Sequence, residues 1–108
     1  MILIADSGSS KTDWRLIDKD VISQYSCIGL NPYFVNKVKV VSELNETFAA
    51  INKLSVTEVH FYGSGCSSES RSQVITDGIK SVFPIAEIHV YHDLLGAARA
   101  ACGKNRGV

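Results

Sequence analysis

The sequence has no surplus of either charge, no paired cysteines and no long apolar run at its start. Eleven basic and eleven acidic side chains give a formal net charge of zero, which argues against the basic surface that nucleic-acid binding requires. Three scattered cysteines without a Cys-x-x-Cys pair argue against a disulfide framework or a zinc ribbon and are typical of a reducing compartment. The first apolar run, residues 2–5, is short and has no cationic lead, so we expect no signal peptide, no membrane span and a cytoplasmic location.

What the sequence does have is the pattern of one α/β domain. Its 108 residues, 45% of them hydrophobic, are enough to form a core. Apolar periodicity and turn residues predict the order β-β-β-α-β-α-β-α, without repeats, linkers or low-complexity segments. The predicted strands are 2–5, 12–18, 21–26, 57–62 and 86–91, and the predicted helices are 37–53, about 67–83 and 94–102. Because helices separate the later strands, those strands should be parallel, which gives a mixed five-stranded sheet.

A turn rich in Gly and Ser follows the first predicted strand. Asp6 ends the apolar run, and residues 7–12 read Ser-Gly-Ser-Ser-Lys-Thr before the next strand. Such a turn fits a hairpin, and it can aim several N–H groups and hydroxyls at one anion such as phosphate. The carboxylate of Asp6 could hold Mg²⁺, directly or through water. A plain polar hairpin tip would contain the same residue types.

A Walker A loop is the obvious alternative for this turn, and its spacing excludes it. That loop needs Gly-x-x-x-x-Gly-Lys-Ser/Thr between a strand and a helix. If Lys11 and Thr12 take the last two positions, Ala5 and Ser10 occupy the positions of the two glycines. The residues that follow have the pattern of a strand rather than a helix. If the turn binds phosphate, it is therefore a phosphate-binding loop of a different kind.

Residues 5–14, Ala-Asp-Ser-Gly-Ser-Ser-Lys-Thr-Asp-Trp, resemble the first phosphate loop of the sugar-kinase, actin and Hsp70 ATPase superfamily. Within that superfamily they most resemble the BadF/BadG-type ATPases and the N-acetylglucosamine kinases. The resemblance implies a ribonuclease-H-like lobe, which agrees with the predicted order of elements. It also implies that ATP phosphates are bound, with Mg²⁺ on Asp6, by Ser7, Gly8, Ser9, Ser10, Lys11 and Thr12.

Three further segments carry candidate residues that the same resemblance implies. Asp93 lies in His-Asp-Leu-Leu-Gly-Ala, which resembles the family's Asp-x-x-Gly-Ala segment, where the Asp is the base facing the sugar hydroxyl. It could instead be a helix N-cap. Asn31, in Gly-Leu-Asn-Pro, resembles a sugar-contacting residue and could equally form an Asn-Pro turn. Gly65 could let substrate approach the backbone or form a tight turn. Asp6, Gly65 and Asp93 should share one sheet edge, at the carboxyl ends of the strands.

The resemblance covers the whole chain but only the first lobe of a two-lobed family. We therefore expect residues 1–108 to be a single N-terminal lobe, inactive alone, that pairs with a second lobe or forms a homodimer. The preferred function is that of an ATP-dependent sugar kinase like N-acetylglucosamine kinase, which transfers the γ-phosphoryl group to a sugar hydroxyl. The alternatives are a BadF/BadG-type activator of a 2-hydroxyacyl-CoA dehydratase, a nuclease with Asp6 and Asp93 as metal ligands, and a non-catalytic sugar- or nucleotide-sensing lobe.

Overall fold

The computed structural model describes residues 1–8, 10–32, 35–63 and 69–91. In this part of the chain the elements follow the predicted order as far as the fifth strand. The predicted helix 94–102 lies outside the described residues. The bounds are β1 Ile2–Ser7, β2 Lys11–Asp18, β3 Val21–Ile28, α1 Lys37–Thr47, β4 Glu58–Gly63, α2 Glu69–Val82 and β5 Glu87–Tyr91.

The strands form one five-stranded sheet in the order β3-β2-β1-β4-β5. β1 pairs antiparallel with β2 and β2 antiparallel with β3, while β1, β4 and β5 run parallel to one another. The mixed sheet predicted from the sequence is therefore confirmed. Because the parallel strands point the same way, Ser7 lies beside Gly63, and Tyr62 lies beside Tyr91, at one edge of the sheet.

Both helices pack on one face of the sheet, where the core lies. Strand side chains alternate between the two faces, and those that face the helices are buried, including Leu3, Ala5 and Trp14. The ring of Phe48, fully buried, lies at the centre of an aromatic cluster. Its centroid is 5.3 Å from that of Trp14, 5.0 Å from that of Tyr25 and 5.9 Å from that of Phe83.

Helix α1 is shorter than the predicted span of residues 37–53. It begins as predicted, where the side chain of Asn36 accepts a hydrogen bond of 2.9 Å from the backbone N–H of Lys39. It ends at Phe48, whose backbone leaves the helical region while its N–H still donates to Leu44 O at 2.9 Å. A short 3-10 helix, capped by the side chain of Asn52, follows. The periodic Ile51 continued the helical pattern in the sequence, but the chain turns so that Phe48 enters the core.

The two helices approach closely at a glycine. A Cβ atom built on Gly78 of α2 would lie 2.5 Å from Cγ1 and 2.8 Å from Cβ of Val40 of α1. Gly78 and Val40 are both buried. The absence of a side chain at Gly78 therefore sets how closely α1 and α2 can pack above the sheet.

Candidate functional site

The candidate site lies where β1 ends and the turn to β2 begins. The structure extends β1 through Asp6 to Ser7, two residues beyond the predicted end. Successive strand side chains point to opposite faces, so Asp6 is exposed on one face while Ser7 is buried on the face that carries the helices. The residues predicted to bind Mg²⁺ and phosphate together are thus divided between the two sides of the sheet.

The buried side of the turn is held by two hydroxyl groups. Ser7 Oγ and Thr12 Oγ1 are 2.7 Å apart, and each side chain is at most 1% exposed. Thr12 Oγ1 donates to the carbonyl of Ile28 at 2.9 Å. The backbone N–H of Leu30 donates to both hydroxyl oxygens, at 3.0 Å to Ser7 and 3.2 Å to Thr12. The end of β1, the start of β2 and the segment after β3 therefore meet at one point.

These distances fix the direction of each hydrogen bond, because a hydroxyl group has only one proton to donate. Thr12 uses its proton on the carbonyl of Ile28, so the proton between the two hydroxyls must come from Ser7. A contact of 3.5 Å from Ser7 Oγ to the carbonyl of Gly8 is much longer than the 2.7 Å contact to Thr12. Neither hydroxyl keeps a proton for a bound anion. In this arrangement Ser7 and Thr12 shape the turn.

The exposed side of the turn consists of Gly8, Ser10 and Lys11, while Ser9 lies outside the described residues. The N–H of Gly8 donates to the carbonyl of Lys11 at 2.8 Å and closes the turn. Lys11 Nζ lies 3.2 Å from Asp13 Oδ1 in an exposed ion pair. Exposed pairs of this kind contribute little to stability, so the ammonium group can exchange partners at little cost.

Asn31 lies next to this turn. The sequence did not predict that the two would be neighbours. Asn31 follows Leu30, whose N–H bonds to Ser7 and Thr12, and it is only 7% exposed. Its own carbonyl accepts a hydrogen bond of 3.1 Å from the N–H of Val35. The predicted sugar-contacting segment and the predicted phosphate turn are therefore joined through two buried hydroxyls.

Gly65 and Asp93, the other predicted site residues, lie outside the described residues. The strands that lead to them end at the same edge as β1, since Gly63 pairs with Ser7 and Tyr91 pairs with Tyr62. Asp93 follows the end of β5 by two residues. The shared sheet edge that the sequence predicted is thus present as far as the strand ends, and the assignments of Gly65 and Asp93 stay predictions.

Paired side chains on β4 and β5 stack across the two strands and form a ladder. The sequence analysis did not predict this ladder. Residues 58–62 read Glu-Val-His-Phe-Tyr and residues 87–91 read Glu-Ile-His-Val-Tyr, and the strands pair in register. The His60 and His89 rings stack at 4.9 Å, and the Tyr62 and Tyr91 rings stack at 4.6 Å. The Glu-x-His-x-Tyr pattern, which occurs in both strands, is the feature of the sequence from which the ladder could have been predicted. By strand alternation the ladder lies on the same face as Asp6.

Each histidine of the ladder bonds to the glutamate two residues before it. His60 Nε2 lies 3.1 Å from Glu58 Oε1, and His89 Nε2 lies 2.6 Å from the carboxylate of the glutamate on its own strand. Burial raises the pKa of the Tyr91 phenol above its ordinary value, and the neighbouring Tyr62 adds to the shift. The ladder is a connected polar and aromatic surface.

The described residues contain neither a preformed metal cluster nor a membrane-spanning helix. No three His, Cys, Asp or Glu side chains there converge closely enough to hold a metal ion. This does not bear against Mg²⁺ on Asp6, because Mg²⁺ is commonly bound by one or two carboxylates with phosphate oxygens and water completing its shell. No helix among these residues is long and apolar enough to cross a membrane.

Comparison with known proteins supports the resemblance predicted from the sequence. The crystal structure of the "Putative N-acetylglucosamine Kinase" from Porphyromonas gingivalis matches with a TM-score of 0.78 and 33% sequence identity. The match covers 97% of this chain and 38% of that chain, so this chain spans well under half the length of the matched protein. No family model matches the sequence. No curated protein matches it either.

Proposed function

Because the chain shares the fold and a third of the sequence of one lobe of an N-acetylglucosamine kinase-like protein, we propose that it is a lobe of a cytoplasmic ATP-dependent sugar kinase. The reaction would transfer the γ-phosphoryl group of ATP to a hydroxyl of an amino sugar. The observation that carries this proposal is the match over 97% of the chain at 33% identity. The exposed carboxylate of Asp6 beside a Gly- and Ser-rich turn supports it from the chain's own residues.

In this proposal the turn and Asp6 hold the nucleotide phosphates and Mg²⁺. The carboxylate of Asp6 is exposed at the sheet edge and suits Mg²⁺, which when bound neutralises charge on the transferring phosphoryl group. Lys11 can leave its exposed ion pair to meet a phosphate. The backbone N–H of Ser10 would supply a further donor, since the N–H of Gly8 already donates to the carbonyl of Lys11. Ser7 and Thr12 contribute by holding the turn in shape, since their protons are already used.

The sugar would lie between Asn31 and Asp93. The segment that contains Asn31 is fixed to the turn through Leu30, so a substitution in the turn should also change the affinity for the sugar. Gly65 would allow the sugar close to the backbone after β4. Asp93, just beyond β5, would accept the proton of the sugar hydroxyl as it attacks. A positioned base of this kind is a recurring part of phosphoryl transfer.

Titration of the chain with Mg-ATP, with and without N-acetylglucosamine, tests the nucleotide site by calorimetry. Asp6→Asn should weaken Mg-ATP binding by roughly 10-fold or more, since a hydrogen bond or contact to a charged group contributes about 1.5–3 kcal/mol. The matched control is Asp20→Asn, an exposed aspartate in the turn between β2 and β3. Equal weakening in both variants, or binding that does not depend on Mg²⁺, would remove the assignment of Asp6.

The role of Asp93 is tested by turnover in an active assembly that contains this lobe. Asp93→Asn keeps the shape and the N-cap capacity of the side chain but removes the proton acceptor. Sugar-dependent ADP release should fall roughly 10²–10⁴-fold, with little change in sugar affinity. A variant with near-normal turnover would show that Asp93 is only a helix cap and would favour a non-catalytic binding lobe.

A further inference from the structure

The outer edge of β3 has none of the features that usually protect a strand edge. In the part of the chain that the structure describes, β3 ends the sheet and pairs with β2 only. Its eight residues read Val-Ile-Ser-Gln-Tyr-Ser-Cys-Ile, with no charged residue and no proline. Its pairing with β2 is continuous from Val21 to Ile28, so no bulge interrupts it. Short strands, charges, proline and bulges are the usual means by which an edge avoids pairing with another chain.

The other edge of the sheet, formed by β5, differs in this respect. β5 has only five residues and carries the charged Glu87, two of the features that discourage pairing. On β3, by contrast, three apolar side chains are exposed: Val21 at 63%, Ile22 at 62% and Ile28 at 41%. Burial of this apolar surface against another chain would be favourable. Of the two edges, β3 is therefore the one suited to association.

The backbone groups that β3 presents at this edge follow from the hydrogen bonds of its neighbours. In an antiparallel pair, successive residues direct their N–H and C=O groups alternately toward and away from the adjacent strand. The carbonyl of Lys11 points to the β1 side, where it accepts from Gly8. The backbone groups of Thr12 therefore point to β3, toward its partner Cys27. The carbonyl of Ile28 turns inward to accept from Thr12 Oγ1, so only its N–H is left at the edge. The residues with both groups directed outward are Ile22, Gln24 and Ser26.

We propose that two copies of the chain associate by antiparallel pairing of their β3 strands about a twofold axis at Tyr25. Outward groups can bond to outward groups only if an even-numbered residue lies opposite an even-numbered residue. A register centred on Tyr25 meets this condition. It places Gln24 opposite Ser26 of the second copy, and Ile22 opposite Ile28 of the second copy. Registers centred on Gln24 or Ser26 would leave an isoleucine opposite a polar side chain, and cross-strand pairs of matched character are the stabilising ones.

A second copy fits this edge because the strand is complementary to itself. The twofold axis repeats each contact, so the exposed isoleucines cover each other at both ends of the strand pair. The absence of charge on β3 means that no like charges meet and no ion must be desolvated. At the axis, two Tyr25 rings would lie side by side on the face that carries the helices. A single strand pair is small beside the about 1,200–2,000 Å² of stable interfaces, so the dimer should be reversible.

Sedimentation velocity of the full chain tests the association. Between roughly 10 μM and 1 mM, where weak complexes form, the chain should pass from monomer to dimer. Gln24→Glu with Ser26→Glu places like charges opposite each other in both symmetric contacts and should raise the Kd of the dimer roughly 10-fold. The matched variant, Gln24→Glu with Ser26→Lys, places opposite charges there and should keep or lower the Kd. Both positions are exposed, so circular dichroism should show the same fold. A chain that stays monomeric, or an equal Kd in the two variants, would overturn the proposal.

A cysteine cross-link tests the register. Ser23 should lie opposite Cys27 of the second copy in a pair without backbone hydrogen bonds, with Cα atoms about 4.5 Å apart, which suits a disulfide. Ser23→Cys, with the other two cysteines replaced by serine, should therefore form a 23–27 disulfide under mild oxidation by diamide. Within one copy these positions are about 13 Å apart along the strand, so the link must join two copies. The control Gln24→Cys, opposite Ser26, should cross-link far less. Equal cross-linking of the two variants, or a link between two Cys27 residues alone, would overturn this pairing.

Discussion

The two faces of the sheet differ in the side chains they carry and in how far those side chains are buried. On one face, α1 and α2 bury a core of aromatic and aliphatic side chains, among them Phe48 and Trp14. On the other face lie Asp6 and the ladder of paired histidines and tyrosines, all at least partly exposed. The same strands supply both sets, because successive residues of a strand alternate between faces. Stability should therefore depend on one face and ligand chemistry on the other.

The largest expected effect tests whether stability depends on the face that the helices cover. Phe48→Ala removes the ring that contacts three other aromatic residues and should lower the free energy of unfolding by about 3–5 kcal/mol. Ile17→Ala, on the face opposite the helices, should cost clearly less because Ile17 is only half buried. Urea unfolding followed by circular dichroism measures both. Equal losses would show that the face opposite the helices is as fully buried as the core.

The contact between the helices should give the next largest effect. Gly78→Ala would place a Cβ 2.5 Å from Val40 Cγ1, and overpacking of this kind costs about 1–3 kcal/mol. That cost should exceed the gain of about 1 kcal/mol from replacing glycine in a helix. Val40→Ala removes Cγ1, so Gly78→Ala should cost less in that background. A stabilising Gly78→Ala in the wild-type background would show that α1 can move away freely.

The two hydroxyl groups of the turn, on Ser7 and Thr12, should contribute unequally to the free energy of unfolding. Thr12→Val removes the donor to the carbonyl of Ile28 and one acceptor for the N–H of Leu30, and should cost about 1–3 kcal/mol. Ser7→Ala should cost less, since Leu30 keeps its bond to Thr12. Hydrogen exchange at the Leu30 amide, with urea unfolding, measures both effects. A larger loss in Ser7→Ala would reverse the assigned direction of the hydrogen bonds.

The smallest expected effect concerns Cys27, a free thiol on β3. Desolvation by burial raises the pKa of this thiol above its ordinary value, despite a hydrogen bond from Trp14 Nε1 at 3.4 Å. Because the pKa is higher in the folded state, the contribution of this group to stability is present below its unfolded pKa and is lost as pH rises through its folded pKa. Iodoacetamide should therefore react more slowly with Cys27 in the native chain than in urea.

The other two cysteines are replaced by serine so that only Cys27 reacts in that experiment. Equal rates in the two states, once corrected for the effect of urea on a small thiol, would contradict the burial of Cys27. A native rate that exceeds the unfolded rate would mean that the surroundings favour the thiolate, opposite to the direction that desolvation gives.

Local sequence patterns predicted the order and types of the described elements, because apolar periodicity and turn residues act within a few neighbours. They placed the N-cap at Asn36 correctly. They ended β1 at Ala5, since the apolar run stops there, and so missed that Ser7 continues the strand on the buried face. The link from Ser7 and Thr12 to Leu30 joins residues far apart in the chain, and no local pattern reports it. The ladder depends on the register in which β4 pairs with β5, which a pattern within one strand does not report.

The repeated pattern of β4 and β5 has a consequence for association between molecules. Parallel strands of like sequence paired in register are the unit of cross-β stacking, and β5 lies at the edge of the described sheet. A third Glu-x-His-x-Tyr strand from another molecule would find matching ring positions. It would also add a carboxylate to the row of Glu58 and Glu87, and like charges directly opposite are destabilising. The glutamates that bond the imidazoles therefore also oppose growth of the sheet into a fibril.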